Sequence, residues 1–357
     1  EGRSHERTER MLKRMDENPL LSPDDLEPTH EDLDVLCTLN PAAVRFGDET
    51  LLLVRVGERV HPDADSVAYV YYHTDDGQLR VERYDRNDPE LESPDDRGCY
   101  YRGKMVLSSM SHLRIARSTD GRNFTFDPEP AIYPATPYEA YGCEDPRITQ
   151  IDETFYITYT AVSDRGVTVA MASTRDFKSY QRHGIVFPPY QKDVAIFPEK
   201  VGGMYVCRHR PYKSEFNEAC IWTAFSPDLH CWGHHAQTVA PTPRSWCANR
   251  VGGGAPPIRT EEGWLEIIHG ADADGRYSLV AMLSELDAPQ RVISVGSKPV
   301  LQPQEPYEQH GVYGNCVFTN GWVVDGAGNV TVYYGGGDRV CAGATTTVDE
   351  LITAAKC

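Results

Sequence analysis

The chain has 357 residues, 40% of them hydrophobic and 25% charged, enough to bury one large β domain or two smaller units. A formal net charge of −18 argues against nucleic acid or an anionic membrane surface as partner, and no apolar run approaches the ~18 residues needed to span a bilayer. Residues 1–18 are charged and carry no apolar signal core, and the ten cysteines form no Cys-x-x-Cys pair, which predicts a cytoplasmic protein with small buried thiols.

Residues 6–15 are rich in helix formers and Asn18-Pro19 would end the run, so residues 1–36 read as a short N-terminal helical extension. Such a helix could pack on a neighbouring subunit, which leaves a homo-oligomer open. After Asn40-Pro41 the texture changes to short β-branched and aromatic runs cut by Gly, Pro, Asp and Asn: 51–56, 67–72, 155–161, 167–172, 204–208, 264–269 and 330–334. Long helical periodicity is missing between them.

A turn motif recurs: Ala116 to Asp120 and Phe124, Ala172 to Asp176 and Tyr180, Ala224 to Asp228 and Trp232, with weaker echoes at Asp287 and Asp349. Each has Ala, then Ser or Thr, then Asp, and the three clear copies add an aromatic four positions later. Ser/Thr-Asp pairs close turns by bonding local backbone. Spacings of 52 to 62 residues, each enough for about four strands, indicate propeller blades, and five copies imply five. The sequence therefore predicts an all-β, five-bladed β-propeller over residues 37–357.

Propellers gather their chemistry at one end of a central channel, from polar residues recurring at blade spacing. That criterion selects Asn40, Arg55, Arg114, Glu144, Asp145, Arg147, Lys192, His209, Arg210, Arg250, His269 and Asp338. Acids at a strand mouth, as in Glu144-Asp145-Pro146-Arg147, are costly to bury without a task. The glycines after Arg250 are no nucleotide loop, because no Lys-Ser/Thr follows and Pro256-Pro257 forbids a helix. No His/Cys cluster has metal-ligand spacing, so neither a metal nor another cofactor is expected.

Glu144-Asp145-Pro146-Arg147 followed by Phe155-Tyr-Ile-Thr-Tyr-Thr-Ala161 resembles the signature of glycoside hydrolase family 130, the β-mannoside phosphorylases and β-1,2-mannosidases. Lys192-Asp193, His209-Arg210-Pro211, the glycine run before Pro256-Pro257 with Trp264-Leu265, and Tyr334 to Asp338 resemble further family segments. The resemblance implies a five-bladed propeller and Asp145 as general acid, passing its proton through the sugar's 3-hydroxyl. It implies sugar contacts for Asn40, Arg55, Arg114, Glu144 and Asp338. Phosphate contacts fall to Lys192, His209, Arg210 and Arg250, since several bases let a phosphate share a dry pocket with the acid. Arg147 either touches ligand or pairs with a nearby carboxylate.

The resemblance leaves a fork. A phosphorylase would attack a β-mannoside with inorganic phosphate and invert it to α-mannose 1-phosphate; a hydrolase would use a carboxylate, here Glu215, Glu218 or Glu266, to activate water. Retention of Lys192, His209 and Arg210 favours phosphate. Thr168 stands where the β-1,4-acting members carry arginine, which points to β-1,2-linked mannooligosaccharides, with Arg165 able to compensate. A non-catalytic glycan-binding propeller is the reading from a different class, and the intact Asp145 motif counts against it.

Overall fold

The computed structural model describes residues 12–73, 75–95 and 97–357. After β1 (Lys13–Arg14), the chain builds five antiparallel meanders in sequence order. The first has β2 (Leu33–Phe46) and β3 (Glu49–Val60). An insertion follows, comprising β4 (Ser66–His73), β5 (Gln78–Asp85), β6 (Leu91–Asp95), β7 (Gly98–Tyr101) and β8 (Lys104–Leu107). β9 (Ser109–Ser118) and β10 (Thr125–Phe126) complete this meander. The second is β11 (Gly142–Ile151), β12 (Thr154–Ser163), β13 (Gly166–Thr174) and β14 (Gln181–Phe187). The third is β15 (Gln191–Ile196), β16 (Tyr205–Pro211), β17 (Ile221–Ser226) and β18 (Gly233–Val239).

The fourth meander contains β19 (Arg250–Gly253), β20 (Ile258–Thr260), β21 (Gly263–Ala271), β22 (Tyr277–Ser284) and β23 (Val292–Val295). The fifth contains β24 (Val317–Val324), β25 (Asn329–Gly336) and β26 (Val340–Thr347), and helix α1 (Val348–Ala355) follows it. Its outer strand is β1, paired Lys13 to Thr345 and Arg14 to Ala344. The fold is thus nearly all β, as the strand pattern predicts.

The expected N-terminal helix is corrected over its described part. Residues 13–14 are strand, because pairing with β26 and burial of Leu12 beside Leu351 and Ile352 outweigh the helix propensity of the run. The remainder of that expectation, residues 6–11, lies outside the described residues.

Apolar clusters join neighbouring meanders in a closed cycle. Leu53, Ile115, Ile157 and Phe177 link the first to the second; Val169, Phe187, Ile196 and Ala224 the second to the third. Ile221, Val251 and Ile268 link the third to the fourth, Leu265, Leu283 and Val332 the fourth to the fifth, and Tyr333 with Leu52 and Val54 the fifth back to the first. Fully burying each large side chain contributes ~1.5–3 kcal/mol. The turn motif holds at its three clear copies: the backbone amides of Arg122, Lys178 and His230 donate to Asp120, Asp176 and Asp228 at 2.8, 2.9 and 2.9 Å. The echo at Asp349 falls instead in the first turn of α1.

The leading strands of the meanders converge, β2 touching β11 and β24, and β15 touching β11 and β19. Four of these five strands slip register: at Leu39/Ala42, Glu144/Arg147, Lys192/Ala195 and Thr319/Gly321. Three of the bulged residues, Asn40, Asp145 and Asp193, have φ of 48°, 48° and 56°. Asn and Asp tolerate this left-handed region best, and a bulge turns their side chains out of the ladder. The bulges thereby turn polar side chains of four of the five meanders towards a common axis.

Candidate functional site

Asp145 sits at the centre of this axis, 4% exposed. Its Oδ1 accepts from Asn40 Nδ2 at 2.9 Å and Arg55 Nη1 at 3.2 Å, and its Oδ2 from Lys192 Nζ at 3.3 Å. Arg55 also reaches Glu144 Oε1 at 2.8 Å. Burial alone would push the Asp145 carboxyl up, but Lys192, Arg55, Asn40 and Arg147 together hold it well below the usual carboxylate range. Lys192 is raised in turn: burial works against its charge, and Asp145 with Tyr212, Glu144 and Asp193 together outweigh burial.

Asp193 is a member that sequence reading passed over. It is 1% exposed, and its Oδ2 accepts from Arg210 Nε at 2.5 Å while Arg147 Nη2 lies 3.3 Å from Oδ1. His269 Nε2 is 3.5 Å from Oδ2. Gly252 makes this contact possible, because a Cβ there would fall 2.5 Å from Asp193 Oδ2 and 2.4 Å from His269 Nε2. Burial is the main cause that lowers His269 to about 3, so it is neutral here.

Arg147 is an axle rather than a rim residue. It donates to Asp145 O, Gly253 O and Gly254 O at 3.2, 2.9 and 3.1 Å, and its guanidinium lies 5.9 Å from the centre of the Phe318 ring. One buried side chain thereby ties its own strand β11 to β15, β19 and β24. Asn320 Nδ2 donates to Asn40 O at 3.1 Å and closes the circuit between the fifth and first meanders.

Asp338 lines the cavity from the fifth meander. Burial pushes its carboxyl up to about 6, Arg55 works against the rise and Asp145 adds to it; the Cys316 thiol donates to Oδ1 at 3.6 Å. Arg250, on β19, stacks at 6.0 Å over the Tyr277 ring.

Two expected site residues lie elsewhere. His209 alternates with Arg208 and Arg210 on β16, so it faces the opposite side, stacked on Phe187 at 4.9 Å and bonded to Gln191 Oε1 and His235 Nδ1 at 2.9 and 3.0 Å. Arg114 points to the face of β9 opposite its neighbour Leu113, whose cross-strand partner is Arg55, and the carboxylates acting on it are Glu58 and Glu129. Neither joins the Asp145 cluster. Glu266, a candidate base, is taken up by Arg208, whose Nη2 lies 2.5 Å away; Glu215 and Glu218 are exposed, and Glu218 pairs with Lys213 at 2.8 Å.

Above the cluster opens a cavity of about 1110 Å³, lined by Arg55, Glu144, Asp338, Arg165, Tyr190 and Tyr212 among others, with the insertion forming one wall. Thr168 is buried and donates to Ala161 O at 3.3 Å, while Arg165 reaches the cavity and lies 5.2 Å over the Tyr138 ring. Among the described residues no group of His, Cys, Asp and Glu could hold a metal ion.

A buried acid fixed among cations, next to Glu144 and Arg55 in the lining of a roomy, tyrosine-walled cavity and carried on a ring of antiparallel meanders, is the arrangement of a carbohydrate-active enzyme. Residues 98–356 match the family model described as β-1,4-mannooligosaccharide phosphorylase. The chain belongs to glycoside hydrolase family 130. It is 38% identical over 346 residues to a β-1,2-mannobiose phosphorylase of Listeria innocua, covering 96% of this chain and 97% of the relative. It is also 38% identical to a 1,2-β-oligomannan phosphorylase of Thermoanaerobacter sp., over 68% of this chain and 80% of that one. The structure of the Listeria enzyme in complex with β-1,2-mannobiose superimposes with a TM-score of 0.93 at 37% identity, over 97% of this chain and 99% of that one.

Proposed function

We propose that this protein is an inverting β-mannoside phosphorylase on a five-bladed β-propeller, cleaving β-1,2-linked mannobiose or mannooligosaccharides with inorganic phosphate. The five meanders are the blades, and β1 completes the last one, so the extension and residues 37–357 work as one catalytic unit. The closed cycle of apolar clusters supports this architecture. Free cysteines and use of a phosphate pool suit a cytoplasmic location.

The observation that carries the reading is the placement of Lys192 on Asp145 Oδ2 with Arg210 close behind on Asp193. Lys192 is the first of the groups that keep the acid ionised, and Lys192 and Arg210 are also the groups a phosphate would engage. An arriving phosphate takes up their charge, and burial then pushes Asp145 towards its protonated form. A phosphate oxygen attacks C1 of the mannosyl residue as the bond from C1 to the leaving oxygen breaks. Asp145 gives its proton to the mannosyl 3-hydroxyl, which passes its own to the leaving oxygen, yielding α-mannose 1-phosphate and a shortened mannoside. Asn40, Arg55, Glu144 and Asp338 hold the sugar. Arg250, over Tyr277, is placed to reach the phosphate from the fourth blade.

Hydrolysis is disfavoured because Glu266, the one buried candidate base, is occupied by Arg208. Incubation with β-1,2-mannobiose, with and without phosphate, tests the proposal. Phosphate-dependent α-mannose 1-phosphate, lost in Asp145→Asn, is expected; mannose release indifferent to phosphate would overturn it.

A further inference from the structure

We propose that Asn320 is a positioning residue for Asp145, acting through Asn40. The inference rests on the phosphorylase reading and names a group of the fifth meander that supports the acid from behind.

The register slip in β24 falls between Thr319 and Gly321, so Asn320 occupies in the fifth meander the place that Asn40, Asp145 and Asp193 occupy in theirs. Each of those residues has a task there: Asn40 donates to Asp145, and Asp193 holds Arg210. Asn320 is fully buried, and its Nδ2 donates to Asn40 O at 3.1 Å. A carbonyl only accepts, so the amide nitrogen must face it. The same orientation leaves Asn320 Oδ1 without a hydrogen-bond partner among the described residues. An unsatisfied buried oxygen is a standing cost that an apolar side chain of the same size would avoid. The bond to Asn40 is what the polar side chain supplies in return.

Asn40 needs that bond. Its φ of 48° lies in the left-handed region, and Pro41 follows, which pushes the residue before it towards extended backbone. A residue held in such a conformation persists only where its surroundings over-determine it. Asn320 grips its carbonyl. Gly335 of β25 packs directly on it, so closely that a Cβ there would fall 2.3 Å from Asn40 Oδ1 and 3.0 Å from Asn40 N. Together these contacts fix the Asn40 side chain with Nδ2 2.9 Å from Asp145 Oδ1.

Phosphorolysis of β-1,2-mannobiose by the full chain tests this. Asn320→Ala is expected to lower kcat about 30-fold and to leave the KM for phosphate within about twofold. Gly335→Ala, which drives a methyl group into Asn40 with Asn320 intact, should do the same. Because Asn320 acts through the Asn40 side chain, adding Asn320→Ala to Asn40→Ala should cost no more than about a further twofold. The Asn40 bond favours the ionised form of Asp145, so the pH above which kcat falls should move upward in each variant. Val332→Ala, in the apolar core of the same meander, should lose stability and keep its kcat within about twofold. An unchanged kcat in folded Asn320→Ala, or a loss that multiplies with that of Asn40→Ala, would overturn the role; should Asn320→Ala not fold, an unchanged kcat in Gly335→Ala does so. If the unsubstituted enzyme makes no α-mannose 1-phosphate, the phosphorylase reading itself falls.

Discussion

Replacing Arg147 with methionine separates an axle from a ligand. The change removes donors to three buried carbonyls and one carboxylate contact, while Asp193 keeps Arg210. Each buried acceptor left without its donor costs ~1–3 kcal/mol, and breaking a buried ion pair from one side costs ~3–5 kcal/mol. Because Asp193 keeps Arg210, the ion-pair cost drops out, and because methionine fills much of the volume the three carbonyls count at their low end, ~3–5 kcal/mol in all. For a chain of this size that amounts to a fall of ~1 M or more in the urea midpoint, followed by circular dichroism. The folded variant should lose kcat by ~100-fold, since Asp145 shifts when its carbonyl is released, and keep its KM for phosphate within about threefold. An unchanged urea midpoint with a tenfold higher phosphate KM would refute the axle and make Arg147 a phosphate ligand.

Arg210→Met should raise the phosphate KM at least tenfold, whereas His209→Gln should leave it within about twofold; equal effects would restore His209 to the site. Asp145→Asn should cut kcat by ~10²–10⁴-fold, measured at saturating mannobiose. His209 is lowered to about 3, chiefly by burial and then by His235, and His269 also to about 3. Groups held neutral in the fold contribute stability that is complete above the unfolded value of ~6.5 and is lost as pH falls from there towards 3, at up to ~1.4 kcal/mol per pH unit for each site. Urea titrations between pH 4 and 7 should show that slope, shallower by one proton in His209→Gln. Asp338, raised to about 6, has the opposite sign: its ionisation weakens the fold as pH climbs from ~4 through 6, so Asp338→Asn should gain on the unsubstituted protein over that interval.

Much of the candidate site was legible because four of the five meanders repeat one local accident. Asn40-Pro41 and Asp145-Pro146 break apolar runs at equivalent points, and the bulges found there confirm why a polar residue could be spent inside a strand. Asp193 carries the same accident without a proline, ahead of Val194-Ala195-Ile196, and its signals were the Lys192-Asp193 family segment and its repeat distance from Asp145. His209 was read together with its neighbour Arg210 as one cationic patch, although strand alternation sends Arg208 and Arg210 one way and His209 the other. Arg114 failed by the same rule. The tyrosines of the insertion left no repeat signal, since the insertion interrupts the first meander and belongs to no period. The helix expected near the amino terminus was lost to a partner more than 300 residues away in sequence, which no local propensity can report.

That distant pairing has a consequence for synthesis. β1 is made more than 300 residues before its partner β26. Leu21 likewise waits for Cys341, and Leu12 for the C-terminal helix. Until then the ring has no latch, and two hydrogen-bonding edges remain open to other chains. Folding should therefore be governed by a late long-range closure, slow for its stability and sensitive to trimming at either end. Loss of Lys13 and Arg14 would unfasten β26 at the other end of the fold, leaving the candidate site between them to loosen without a single one of its residues changed.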